Sequence, residues 1–163
     1  MVKEIFLLIT LFPIVNVLGQ THTITGKVID DRFDPVYGAR IWNIDTLLLA
    51  TTEIDGNFKI EIPVNTKTLI VGSVGTEWKS IYLAEDCNNL DVILLLRPTY
   101  DFTSARKVDR LRKKDFNKLP ALHKSAFSKG IFKVDKPCFT EKFRPIKNRL
   151  KEIQKSKEQI PSI

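Results

Sequence analysis

Asp55-Gly56-Asn57-Phe58-Lys59-Ile60-Glu61-Ile62-Pro63 is the stretch whose reading decides the fold. Phe58, Ile60 and Ile62 alternate with Lys59 and Glu61, the period of two that turns apolar side chains to one face of a strand and charges to the other. Just before them, Gly56 can take the positive φ of a tight hairpin and Asp55 can bond its own backbone. Asp55, Gly56 and Asn57 are therefore read as a structural turn that delivers Phe58 to a core. Pro63 ends the strand. The competing reading, a calcium loop with Asp55 as a ligand, lacks the several spaced oxygens that calcium needs.

Similar runs lie on both sides. Thr23 to Asp30 carries Ile24 and Val28 on one face, and Asp31-Arg32-Phe33-Asp34-Pro35 breaks it. Ala39 to Ile44, Leu47 to Thr52, Leu69 to Ser73, Trp78 to Leu83 and Leu90 to Leu96 follow, with turn residues between them. Seven short strands at that spacing, with no helical pattern among them, predict a β-sandwich.

The N-terminus bears on the compartment. Ile5 to Leu18 is a nearly unbroken apolar run behind Lys3, and it ends in Val17-Leu18-Gly19-Gln20. That is the pattern of a secretory signal peptide over residues 1–19, with Val17 and Gly19 small enough for a cleavage site before Gln20. A buried element of the folded domain is the alternative. The run falls short of the about 20 apolar residues that span a bilayer, so no transmembrane span is expected in the mature chain. The expected localisation is exported: periplasm, outer membrane or cell surface.

The net charge of +7 hides an asymmetry. Residues 20–97 hold seven Lys and Arg against eleven Asp and Glu, a net of −4, whereas residues 98–163 hold eighteen against seven, a net of +11. The change near Arg97-Pro98 divides the chain into a domain over 20–97 and a basic extension over 98–163.

In order, Thr25-Gly26-Lys27-Val28-Ile29-Asp30, Pro35, Gly38-Ala39-Arg40-Ile41, Thr51-Thr52, Asp55-Gly56-Asn57-Phe58 and Pro63 resemble the carboxypeptidase regulatory-like domain family over about residues 23–96. Asp45-Thr46-Leu47 stands where that family usually has a Gly-Thr pair. The resemblance implies a mainly β, transthyretin-like (prealbumin-like) sandwich of seven strands, here followed by a basic α-helical C-terminal extension. It also implies a domain that is not itself catalytic and that folds, spaces or docks beside another activity, as in secreted and outer-membrane proteins of Bacteroidetes-type bacteria.

In the extension, Ser104 is placed to cap a helix reaching about Leu119, with Val108 and Leu111 on one side and Arg106, Lys107, Arg110, Arg112, Lys113 and Lys114 around it. Pro120 and Gly130 bracket a second helix over Ala121 to Lys129, with Leu122, Ala126 and Phe127 as its apolar face. Phe143, Ile146, Leu150 and Ile153 recur at helical spacing in a third, over 144–160. Six of the ten Phe residues lie beyond Arg97. So much aromatic surface argues for folding onto the sandwich or onto a partner rather than for a solvated arm.

Cys87 and Cys138 are the only cysteines. In an exported chain an isolated pair reads first as a disulfide that clamps extension to sandwich, with two unrelated thiols or an intermolecular bond as the alternatives. His22 and His123 alone do not make a His-based triad or a zinc site, and His123 is read as a surface or half-buried side chain. Asp30-Asp31 and Glu85-Asp86 read as solvated turn charges. No catalytic, cofactor or metal residues are assigned.

Two binding functions remain. In the first, a non-catalytic envelope module engages an envelope protein, with its helical tail as the docking element. In the second, Arg106, Arg110, Arg112, Lys113, Lys114, Arg149 and Lys151 contact a polyanion such as lipid phosphate or lipopolysaccharide. Nucleic acid is the least favoured partner for an exported chain.

Overall fold

The computed structural model describes residues 20–97, 99, 102–146 and 148. The leader expected over 1–19, most of the third helix expected over 144–160, and the candidate contacts Arg149 and Lys151 lie outside the described residues.

Seven strands form close to the predicted runs: β1 (Thr21–Asp30), β2 (Arg40–Asn43), β3 (Leu48–Thr51), β4 (Asn57–Pro63), β5 (Thr68–Gly72), β6 (Lys79–Leu83) and β7 (Val92–Leu94). Two helices, α1 (Ala105–Phe116) and α2 (Leu119–Ser128), and then β8 (Phe139–Glu141) follow. The described residues thus hold eight strands rather than the seven expected, and the extension is not purely helical. Its strand β8 pairs antiparallel with β6 and satisfies backbone groups that β6 would otherwise leave open at a sheet edge.

The strands form two sheets, β4-β1-β7 and β3-β2-β5-β6-β8. β1 lies antiparallel to β4 and parallel to β7. Between the sheets, Ile24 and Val28 of β1, Phe58, Ile60 and Ile62 of β4, and Val92 and Leu94 of β7 share one core with Ile41, Leu69, Val71, Ile81 and Phe139. β4 shows the cause most plainly, since its buried and exposed positions alternate without a break.

At the turn that feeds β4, Gly56 has φ 79° and Asn57 N–H donates to Asp55 Oδ1 at 2.9 Å. A Cβ on Gly56 would also collide with the Val28 carbonyl, so glycine is required there twice over. Thr46, standing in place of the family's usual glycine-containing pair, takes φ 65°. Asp30 is not the solvated charge expected of it. It is buried at the end of β1 and accepts N–H bonds from Arg32 at 2.8 Å and Asp34 at 3.0 Å, which shapes the reversal after the strand.

The outer face of the three-stranded sheet carries a second core. Ile29, Ile93 and Leu95 point away from the sandwich interior and meet Leu119, Ala126 and Phe132 of the extension. The described part of the extension therefore packs on its own sandwich. Some details differ from expectation. Leu111 and Phe127 are exposed, and the buried positions of α2 are Leu119, His123 and Ala126. Ser104 stands at the N-cap of α1 without a side-chain cap bond; its carbonyl accepts the N–H groups of Lys107 and Val108 instead.

Candidate interaction site

Three devices fix the extension, and together they determine which of its surfaces stay available. The first is a polar cluster at the base of α1. Arg112, on the side of the helix that carries Val108, forks onto Glu77 between β5 and β6, with Nε to Oε1 at 2.5 Å and Nη2 to Oε2 at 2.9 Å. It also reaches Asp109 at 3.3 Å and the Arg144 carbonyl at 3.0 Å. The hydrogen bonds to Glu77 hold the guanidinium pKa above its ordinary value. Such two-pronged pairing fits arginine's planar fork, and lysine does not reproduce it. Next to it, Lys79 pairs with Glu141 of β8 at 2.8 Å. Burial pushes the Lys79 pKa down, and the Glu141 carboxylate offsets only part of that.

The second device is Asp91, which is almost fully buried. Its carboxylate accepts Lys27 N–H at 3.2 Å from β1, Lys133 N–H at 3.0 Å from the extension and the Asn89 amide at 2.7 Å. One side chain thereby ties the backbone of the first strand to that of the extension. The third is the Cys87–Cys138 disulfide, with Cα atoms 5.1 Å apart. It joins the approach to β7 with the approach to β8.

With that side of α1 turned to the sandwich, Arg106, Lys107, Arg110, Lys113 and Lys114 are exposed. Four of the residues proposed from sequence as anion contacts, Arg106, Arg110, Lys113 and Lys114, thus share an accessible surface. Arg112 is engaged within the chain. Asp91, Glu77 and Lys79 were not singled out in the sequence, because each owes its role to a partner dozens of residues away.

A cavity of about 550 Å³ opens between α2, β7 and β8, walled by Ile93, Phe116, Leu119, His123 and Phe139 among others. His123 is buried, contrary to its reading as a surface or half-buried side chain. Its ring packs on Phe132 and its Nδ1 lies 3.2 Å from the Asp135 carbonyl. The reason is its place on α2, between Leu119 and Ala126 on the face that covers the sheet.

Trp42 of β2 and Trp78, just before β6, stack with centroids 4.8 Å apart, and Gly72 of β5 leaves room for the Trp78 ring. Among the described residues, no group of three or more His, Cys, Asp or Glu side chains could hold a metal ion, and no helix is long and apolar enough to cross a membrane.

Two facing sheets, a tight Asp-Gly hairpin and an extension welded to the sandwich define a β-sandwich module with an appended helical and strand element. Residues 24–101 match the model of the CarboxypepD_reg-like domain family, and this segment belongs to that family, as the ordered motifs from Gly26 to Pro63 implied. That family of regulatory-like domains is non-catalytic. No curated protein matches the chain.

Proposed function

We propose that the protein is an exported, non-catalytic component of the cell envelope that engages an envelope protein through its C-terminal extension. The observation that carries this reading is the division of α1 into two sides. Val108 and the Arg112–Glu77 pair hold one side against the sandwich, and five cations stand exposed on the rest of the helix. A helix pinned in this way offers its charges as a fixed pattern, which favours recognition of a shaped acidic surface and speeds encounter with it.

Export is supported by the leader pattern and by a disulfide that suits an oxidising compartment. The transthyretin-like arrangement implied by the family suits a scaffold for such a surface. A second reading rests on the same five cations: an electrostatic anchor on lipid phosphate or lipopolysaccharide.

In-cell crosslinking of the full chain and of an Arg110→Glu, Lys113→Glu, Lys114→Glu variant, each at two salt concentrations, separates the two. Salt-tolerant capture of one defined envelope protein, weakened in the variant, supports the first reading. Capture of anionic lipid or glycan alone, abolished by salt and by the variant, supports the second. Unchanged capture by the variant overturns both.

A further inference from the structure

We infer that the cavity between α2 and the sheets binds a single-chain amphiphile that carries a carboxyl head, the chemistry of a free fatty acid. This inference goes beyond the proposed docking role and uses a different surface.

The volume of about 550 Å³ falls within the roughly 300–1,000 Å³ typical of small-molecule sites. Ile93, Phe116, Leu119 and Phe139 give the cavity an apolar wall suited to an alkyl chain, whose burial is favourable in proportion to its area. Lys124 and Lys136 border the same cavity, are exposed, and form no salt bridge among the described residues. An apolar wall with two cations beside it complements an apolar chain with an anionic end. Asp135 and Glu141 also border the cavity; Glu141 is engaged by Lys79, and Asp135 limits how large an anionic head the site tolerates.

His123 adds a ring to the wall. Its Nδ1 faces the Asp135 carbonyl, which can only accept, so Nδ1 carries a hydrogen. Its Nε2 is enclosed, out of reach of a molecule in the cavity, so the head group is selected by the lysines: a carboxylate offers them a charge and an alcohol does not.

The test uses the full, oxidised chain and dodecanoate, with dodecanol as the uncharged control. Displacement of the fluorophore 1-anilinonaphthalene-8-sulfonate gives the affinities, and a nitroxide-labelled fatty acid locates the site by NMR line broadening. The expected result is saturable binding of one dodecanoate per chain, with broadening at residues 116–124 and 135–139. Lys124→Glu with Lys136→Glu, both at exposed positions, should weaken dodecanoate about tenfold, equivalent to ~1.4 kcal/mol, while dodecanol changes little. His123→Phe keeps a ring against Phe132 and should change dodecanoate and dodecanol alike.

No saturable displacement overturns the inference. So does broadening centred on Arg106 to Lys114 or on Trp42 and Trp78, or equal weakening of both ligands in the lysine variant. Because α1 is untouched by these substitutions, failure here leaves the docking proposal standing, and the reverse also holds.

Discussion

Replacing Asp91 with alanine should detach the extension at its most buried polar contact. Its carboxylate now satisfies three N–H donors: the backbone of Lys27, the backbone of Lys133 and the side chain of Asn89. Hydrogen bonds to a charged acceptor contribute about 1.5–3 kcal/mol each, and a buried donor left unpaired costs about 1–3 kcal/mol. The 3.2 Å bond from Lys27 is the longest of the three, and a water entering the vacated space would recover part of the loss. The expected net destabilisation is therefore about 3–5 kcal/mol, a large share of the about 5–15 kcal/mol by which a domain is stable. Asp91→Asn keeps one acceptor oxygen but turns an amide toward a donor, so an intermediate loss of about 1–3 kcal/mol is expected.

Urea unfolding gives the stability, and amide hydrogen exchange gives the location. Protection should fall at Lys133 and across β8 while the core of β4 keeps its rank order. A loss below about 0.5 kcal/mol for Asp91→Ala, or unchanged exchange at Lys133, would refute the claim that this carboxylate couples sandwich to extension. A double-mutant cycle with Asn89→Ala then separates the side-chain contribution from the two backbone ones.

Other expectations follow from the same geometry. Cys87→Ser with Cys138→Ser opens a loop of 51 residues, and urea unfolding should show a loss of up to about 4 kcal/mol by loop entropy; a negligible loss would mean that β8 and α2 already hold the extension without the bond. Because burial lowers the Lys79 pKa below 10.5, the unfolded chain binds more protons between that lowered value and the ordinary one. Stability should therefore rise with pH through that alkaline window, and the difference between wild type and Lys79→Met, measured by urea unfolding at successive pH values, should carry the slope. In Gly72→Ala the new Cβ would lie 2.6 Å from Trp78 Cγ and Cδ1. The indole must move off Trp42, at a cost of about 1 kcal/mol, and since these are the chain's two tryptophans, near-UV circular dichroism should report it directly; an unchanged spectrum would contradict the stack.

Much of the architecture could be read from local pattern. The alternation from Phe58 to Ile62 became β4 with its apolar side chains in the core, and Asp55-Gly56 became the turn before it. Gly130 lies just past the end of α2 as expected, at φ 71°, whereas Pro120, expected before the helix, sits in its first turn, where a missing N–H costs nothing. In each case the physical cause lies within a few residues, in side-chain period, φ preference or a missing N–H. One further signal was present: Val92-Ile93-Leu94-Leu95 is apolar without alternation, the mark of a strand covered on both faces. That run foretells a layer over the outer face of β7, which α2 and Phe132 provide.

The sequence by itself determined the seven strands of the sandwich, the turn before β4, the split in charge between the two halves and the family resemblance over about residues 23–96. Only the tertiary structure decided that Phe139-Thr140-Glu141 becomes a sheet strand, that Arg112 turns inward to Glu77 while its neighbours stay exposed, that Asp91 receives the backbone of Lys133, and that His123 is buried beside a cavity. Each of these depends on a partner 12 to 60 positions away. A short polar segment such as β8 has little strand preference of its own, and it is the open edge of β6, with its unpaired backbone groups, that makes it one.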